Sequence, residues 1–145
     1  MVADLVERLI GEEEGRSRVA YRDTREILSI GVGCVVDPNV LGSGLCDAAI
    51  TAQFAHDSAA ARQIASMWPH FPALNLVRQA VLISMAYQLG NKPRGWPKFM
   101  AALARQDFDD AARQGASTDW YRTQTPKRAE REMTMLRTGE WVPHQ

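Results

Sequence analysis

Glu12-Glu13-Glu14 stand immediately before Gly15, and Asp23 follows in the polar turn Asp23-Thr24-Arg25-Glu26. A carboxyl that keeps its proton can act as a general acid and one that stays ionised as a general base, so these side chains have the chemistry for acid–base catalysis. Val2, Leu5, Val6, Leu9 and Ile10 recur at helical spacing, which predicts an amphipathic helix over about residues 3–13 ended by Gly15. At about 100° per residue, Glu13 falls nearest the centre of that apolar stripe and Glu14 at its edge. A residue beside the Gly15 turn can instead point out of the core toward the segment that follows, which favours Glu14. A structural reading is also open: three glutamates at a helix C-terminus oppose the macrodipole, and Arg16, Arg18 and Arg22 can compensate them. The carboxylates on their own do not choose.

The elements that must position these groups are legible from pattern. Val19-Ala20-Tyr21, the polar turn and Ile27-Leu28-Ser29-Ile30-Gly31-Val32 read as a small β-hairpin or meander. Asp37-Pro38-Asn39 and Gly42-Ser43-Gly44 are loop signals. Helices are predicted near 45–66, 75–89, 97–105, 108–114 and 126–137, with Pro97 and Pro126 in first turns and Thr125 as an N-cap. Segment 75–89 is apolar on nearly every face, which predicts a helix surrounded by others at the hub of a helical lobe. The fold class is α+β, mostly helical, with one small sheet.

The 145 residues fit a single domain, and 17 Lys+Arg against 17 Asp+Glu argue against a polyanion-binding surface, so nucleic acid is not an expected partner. The N-terminus lacks a charged n-region and an apolar h-region, so synthesis in the cytoplasm without a signal peptide is expected. The apolar stretch VRQAVLISMAYQLG contains Arg78 and Gln79 and falls short of the roughly 20 residues of a membrane span; it reads as a buried helix, and no membrane insertion is expected. Cys34 and Cys46 lack metal-type spacing and read as free, His56, His70 and His144 are scattered, and neither a metal nor another cofactor is expected.

Several motifs in order then carry a resemblance. Glu14-Gly15, Tyr21-Arg22-Asp23-Thr24, Ser29-Ile30-Gly31-Val32-Gly33, Tyr87-Gln88-Leu89-Gly90, Gly95-Trp96 and Phe108-Asp109-Asp110-Ala111-Ala112 are followed by Trp120-Tyr121, Gln124-Thr125-Pro126-Lys127-Arg128-Ala129 and Arg137-Thr138-Gly139-Glu140-Trp141. Over nearly its whole length the chain resembles the phage-type lysozymes, the endolysin family typified by the T-even phage enzyme and classed as glycoside hydrolase family 24. In that family a Glu ends the first helix, an Asp follows after eight intervening residues, and a Thr comes after a further five, ahead of Gly-x-Gly. Of the three glutamates only Glu14 has that spacing to Asp23. The resemblance implies a lysozyme-like fold in a single domain, with a small hairpin lobe over about 14–56 and, around a buried central helix, a helical lobe formed by about 57–145 with the N-terminal helix.

It also implies the chemistry. Cleaving a glycosidic bond needs a proton for the leaving oxygen and stabilisation of an oxocarbenium-like centre; Glu14 would be the acid, and Asp23 would stay ionised and direct the attacking water, with Ser29 as that water's second partner. Arg128 matches an arginine that lies beside the catalytic Glu. By register Val35, Tyr87 and Gln114 match cleft positions that contact substrate, whereas Phe99 replaces a small polar residue and is left out. Tyr87 also has a structural reading as a core aromatic, and Trp96, Trp120 and Trp141 read as core.

Three departures stand out: Ser29 replaces the usual Thr, Glu26 the usual hairpin glycine, and Cys34 the usual His, which removes an imidazole–carboxylate pair with Asp57. Ser29 is expected to lie near solvent. The implied activity is a muramidase acting on bacterial peptidoglycan as a monomer, reaching the wall after release during phage lysis. The alternatives are a catalytically weak peptidoglycan-binding or structural module on the same fold and, less compatible with the neutral charge and the hairpin, a helical interaction domain.

Overall fold

The computed structural model describes residues 16–23 and 25–143; the helix expected over 3–13, and Glu14 with it, lie outside the described residues. The chain divides into two compact units, Met1–Gln53 and Phe54–Gln145.

In the first unit, β1 (Ser17–Arg22), β2 (Leu28–Gly31) and β3 (Cys34–Val35) form an antiparallel meander in the order β1-β2-β3. Tyr21 and Arg22 pair with Ser29 and Leu28, and Ser29 and Ile30 pair with Val35 and Cys34. The β1–β2 turn is closed by Asp23 N–H donating to Ile27 O and Glu26 N–H to Asp23 O, both at 3.0 Å. It forces Glu26 to φ +63°, in the left-handed region, where a Cβ normally costs about 1–2 kcal/mol. After β3, Asp37 ties the loop back to the sheet, its Oδ1 accepting from Asn39 N–H at 2.9 Å and its Oδ2 from Leu28 N–H at 3.3 Å. Those bonds, Asn39's first, hold the Asp37 carboxyl below the usual carboxylate range. Cys34 Sγ, at the usual histidine position, lies 3.7 Å from Gly44 O, and Cys34 and Cys46 are free.

Helix α1 (Asp47–Ser66) is followed by α2 (Leu76–Leu89), α3 (Pro97–Ala104), α4 (Phe108–Ala116) and α5 (Pro126–Thr138), with 3-10 turns at Phe71–Ala73 and Lys92–Gly95 and a π-helical turn at Trp120–Gln124. All five helices were legible to within about two residues at either end. Pro97 and Pro126 occupy first-turn positions, where the missing N–H costs no bond. Asn75 and Asp107 cap α2 and α4 by accepting from Arg78 N–H and Asp110 N–H. Thr125 sits at the N-cap of α5 but makes no capping bond; its Oγ1 accepts from Gln88 Nε2 at 3.2 Å instead. Among the described residues no helix is long and apolar enough to cross a membrane.

The core of the second unit gathers Ala61 and Ala65, Trp68, Val81, Leu82, Met85, Phe99, Leu103, Ala111, Trp120, Met133 and Leu136 with their neighbours. Trp96 packs against it, edge-on to Phe99 at 5.9 Å and tilted to Trp120 at 6.4 Å. The buried Trp120 N–H donates to Gln88 Oε1 at 2.9 Å, which spares the core an unsatisfied donor. Arg78 fastens α2 to the end of α5: its Nε donates to Leu136 O at 2.9 Å, its Nη2 to Arg137 O at 3.0 Å, and its guanidinium lies 3.8 Å from the Phe108 ring centre. A cation on the last carbonyls of a helix satisfies groups that have no partner within it.

Two expectations are corrected. Helix α2 is not surrounded on all sides: Leu76, Ala80 and Tyr87, which fall on one side at helical spacing, are exposed, while Val81, Leu82, Met85, Ala86 and Leu89 are buried. Trp141 is not core. It is 63% exposed, because α5 has already ended at Gly139, and its ring lies 5.0 Å from the Arg131 guanidinium.

The left-handed Glu26 yields a prediction. Its side chain is exposed, so replacement by glycine forfeits no packing while removing the Cβ strain, partly offset by glycine's extra chain entropy of about 0.5–1 kcal/mol. Glu26→Gly is therefore expected to stabilise the protein by about 0.5–1 kcal/mol, read as a raised urea midpoint at unchanged slope; a lowered midpoint would contradict it.

Candidate active site

Asp23 is built into the hairpin by its own turn. Its Oδ1 accepts from Arg25 N–H at 2.8 Å and from Ile27 N–H at 2.9 Å, while Oδ2 lies 3.5 Å from Arg25 Nη2. An aspartate that bonds to N–H groups two and four residues on organises the tight turn the sequence implies. The Ile27 N–H is the largest influence holding the Asp23 carboxyl below the usual range; burial opposes it, and the Arg25 N–H and guanidinium add to the lowering. Asp23 is thus an ionised carboxylate with one oxygen committed to the fold and the other, among the described residues, held by a long contact to an exposed arginine.

Ser29 lies on the central strand, facing Tyr21 on one side and Val35 on the other. Cross-strand partners share a face of the sheet, so Ser29 and Val35 present their side chains together, and Asp23 lies just past the end of β1, in the turn. Ser29 is 2% exposed, which corrects the expectation of a residue near solvent: a central strand is flanked on both edges, and a small side chain there is readily covered. Val35 is half-buried. Ser29 and Val35 are therefore cross-strand neighbours, Asp23 closes the turn that joins β1 to β2, and Glu14 lies outside the described residues.

The other three sequence-derived residues belong to the helical unit and occupy separate surroundings. Tyr87 on α2 is 45% exposed, so it is not the core aromatic that its apolar helix suggested. Its ring lies 6.0 Å from that of Phe54 at an interplanar angle of 57°, and it borders an open hollow lined by Asp57, Ala60, Ala61, Ile64 and Ala86. Gln114 on α4 donates through Nε2 to Asp110 Oδ1 at 3.0 Å; Asp110 also receives Arg113 Nη2 at 2.6 Å and Arg105 Nη2 at 3.0 Å. The Gln114 bond, ahead of Arg113, holds Asp110 below the usual carboxylate range.

Arg128 on α5 donates through Nε to Glu132 Oε1 at 2.8 Å and through Nη2 to Ser84 Oγ at 2.7 Å. Neither Glu132 nor Ser84 was singled out from the sequence. The signal was available: Glu132 is four residues from Arg128 and interrupts the buried positions Ala129, Met133 and Leu136 with a charge.

The first unit offers an ionised, backbone-held carboxylate and, on the same hairpin, a buried hydroxyl; the second offers an exposed tyrosine, an amide and a held guanidinium. These groups can form hydrogen bonds, and the carboxylate can act as a base. A family model described as "Phage lysozyme" matches residues 11–133, a span that contains Glu14, Asp23, Ser29, Val35, Tyr87, Gln114 and Arg128. With most of its length matched, the chain belongs to the phage lysozyme family.

Proposed function

We propose that this protein hydrolyses the β-1,4 bond between N-acetylmuramic acid and N-acetylglucosamine by an inverting two-carboxylate mechanism. Family membership makes it a lysozyme that hydrolyses peptidoglycan and acts on the bacterial cell wall; the bond, the stereochemistry and the residues are our reading. The observation that carries it is the state of Asp23, a carboxylate kept ionised by backbone N–H groups, as the basic half of such a pair must be.

In this reading Glu14 protonates the leaving oxygen while Asp23 orients and deprotonates a water on the opposite face of the sugar, a division that needs carboxyls roughly 6.5–9.5 Å apart. Ser29 supplies the water's second hydrogen bond. Its burial means that a water on its hydroxyl is held against protein rather than in bulk, which offsets the rotamer freedom that a serine has and a threonine lacks. Val35, Tyr87 and Gln114 contact the glycan, and Arg128 supports the acid. An adjacent cation lowers a carboxyl pKa, and exclusion of water on substrate binding would raise that of Glu14 again. Release to the wall during phage lysis completes the reading.

Single variants assayed for clearing of a bacterial-wall suspension, with circular dichroism as folding control, test the assignments. Glu14→Gln is expected to abolish clearing, Glu12→Gln and Glu13→Gln to keep most of it, and Ser29→Ala to lose at least about tenfold, or about 1.4 kcal/mol in the barrier. An inactive Glu13→Gln beside an active Glu14→Gln would overturn the register, and full activity in Ser29→Ala would remove Ser29 from the reaction. Inversion predicts that the α-anomer forms first by NMR. An initial β-anomer, or a 1,6-anhydro sugar, would rule the inverting route out.

A further inference from the structure

The carboxylate of Glu132 is 5% exposed and has no part in the reaction as described so far. Its Oε1 accepts from Arg128 Nε at 2.8 Å and from Ser84 Oγ at 2.6 Å, and Ser84 Oγ in turn accepts from Arg128 Nη2 at 2.7 Å. Three hydrogen bonds thus close a ring between two helices, with Arg128 and Glu132 one turn apart on α5 and Ser84 on α2. Glu132 Oε2 is buried with no hydrogen-bond partner among the described residues.

Stability does not account for this arrangement. Removing a carboxylate from water costs several kcal/mol before any pairing, and a buried ion pair is often no better than an apolar side chain of similar size; the neighbouring buried positions on α5 are Ala129, Met133 and Leu136. What the ring does achieve is control of a guanidinium. The group is planar and its donors form a rigid fork, so fixing Nε and Nη2 fixes Nη1 as well. Among the described residues none of these bonds uses Nη1, and the Arg128 side chain is 41% exposed, so the inner edge of the guanidinium is held while the side chain still reaches the surface.

We propose that Glu132 and Ser84 are positioning residues that act through Arg128, holding its guanidinium in one orientation and balancing its charge for the supporting role that Arg128 has in the reaction. The inference rests on the reading of Arg128 given above. Glu132 supplies the counter-charge, and Ser84 sets the tilt of the guanidinium plane by bonding both partners.

The test is a double-mutant cycle on the full chain, with kcat and KM measured on solubilised peptidoglycan strands and thermal midpoints as folding control. Glu132→Gln is expected to lower kcat at least tenfold with KM within about twofold, and Ser84→Ala to lower kcat by a smaller factor that Ser84→Thr, which keeps the hydroxyl, restores. In an Arg128→Met background neither change should lower kcat further, because both act through the guanidinium. Losses that multiply in that background would overturn the proposal. Normal kcat in Glu132→Gln beside a low kcat in Arg128→Met would defeat the proposal alone, whereas normal kcat in Arg128→Met would defeat the reading of Arg128 itself and the proposal with it. If Glu132→Gln fails to fold, the Ser84 pair carries the same test, and failure of Ser84→Thr to restore kcat counts against it.

Discussion

Because Asp23 Oδ1 accepts two backbone N–H groups from its own turn, one side chain sets both the geometry of the hairpin and the charge at its tip. The turn places Ile27 so that β2 can pair with β1, and that pairing puts Ser29 opposite Tyr21 and, across β2, opposite Val35. The same two bonds depress the carboxyl pKa. Fold and charge state are therefore coupled: a backbone change that moved the Arg25 or Ile27 N–H would weaken the turn and raise the pKa together. Glu26 in the left-handed region is the strained residue of that turn.

The helical unit solves a different problem. Its core is a set of closely packed apolar side chains, and the polar groups within or beside it are almost all in pairs: Trp120 with Gln88, Arg78 with the last carbonyls of α5, Gln114 with Asp110. Trp68 Nε1 and Glu132 Oε2 are the buried side-chain atoms without a partner among the described residues. The second belongs to Glu132, a buried carboxylate that grips an arginine the reaction is proposed to use. A buried carboxylate is costly wherever it sits, and here the cost is tied to the direction of one guanidinium.

Much of this was legible in the sequence, and what was not has a common cause. Helices were readable because apolar period and Pro97 and Pro126 at first-turn positions are local signals, and the strands because β-branched residues alternate around a polar turn. Burial of a particular side chain is not local. Nothing in Leu28-Ser29-Ile30 says that β2 will be the central strand, which is why Ser29 proved buried. Nothing in Arg137-Thr138-Gly139-Glu140-Trp141 says that the chain leaves the core at Gly139, which is why Trp141 proved exposed. Tyr87 had two readings, a cleft residue and a core aromatic on an apolar helix, and one side of that helix is open. Thr125 has the type and position of a cap, but a nearby Gln88 took its hydroxyl. At the site, Asp23 was readable as an ionised turn carboxylate, Ser29 and Val35 came by register, and the Arg128–Glu132–Ser84 ring was missed because Ser84 is distant in sequence. Glu14 lies outside the described residues, and its role is the one that the family resemblance implies for the glutamate nine residues before Asp23.

The central claim is that Asp23 contributes its charge and not only its turn, and Asp23→Asn separates the two. An asparagine Oδ1 can still accept from the Arg25 and Ile27 N–H groups, so the hairpin is retained, while the negative charge is lost. The measurement is the initial rate of wall clearing by Asp23→Asn at matched concentration, alongside its urea midpoint. A midpoint close to that of the unmodified protein is expected, with a rate lower by about 100-fold or more, the scale of a lost general base. A rate near normal in a normally folded Asp23→Asn protein would contradict it.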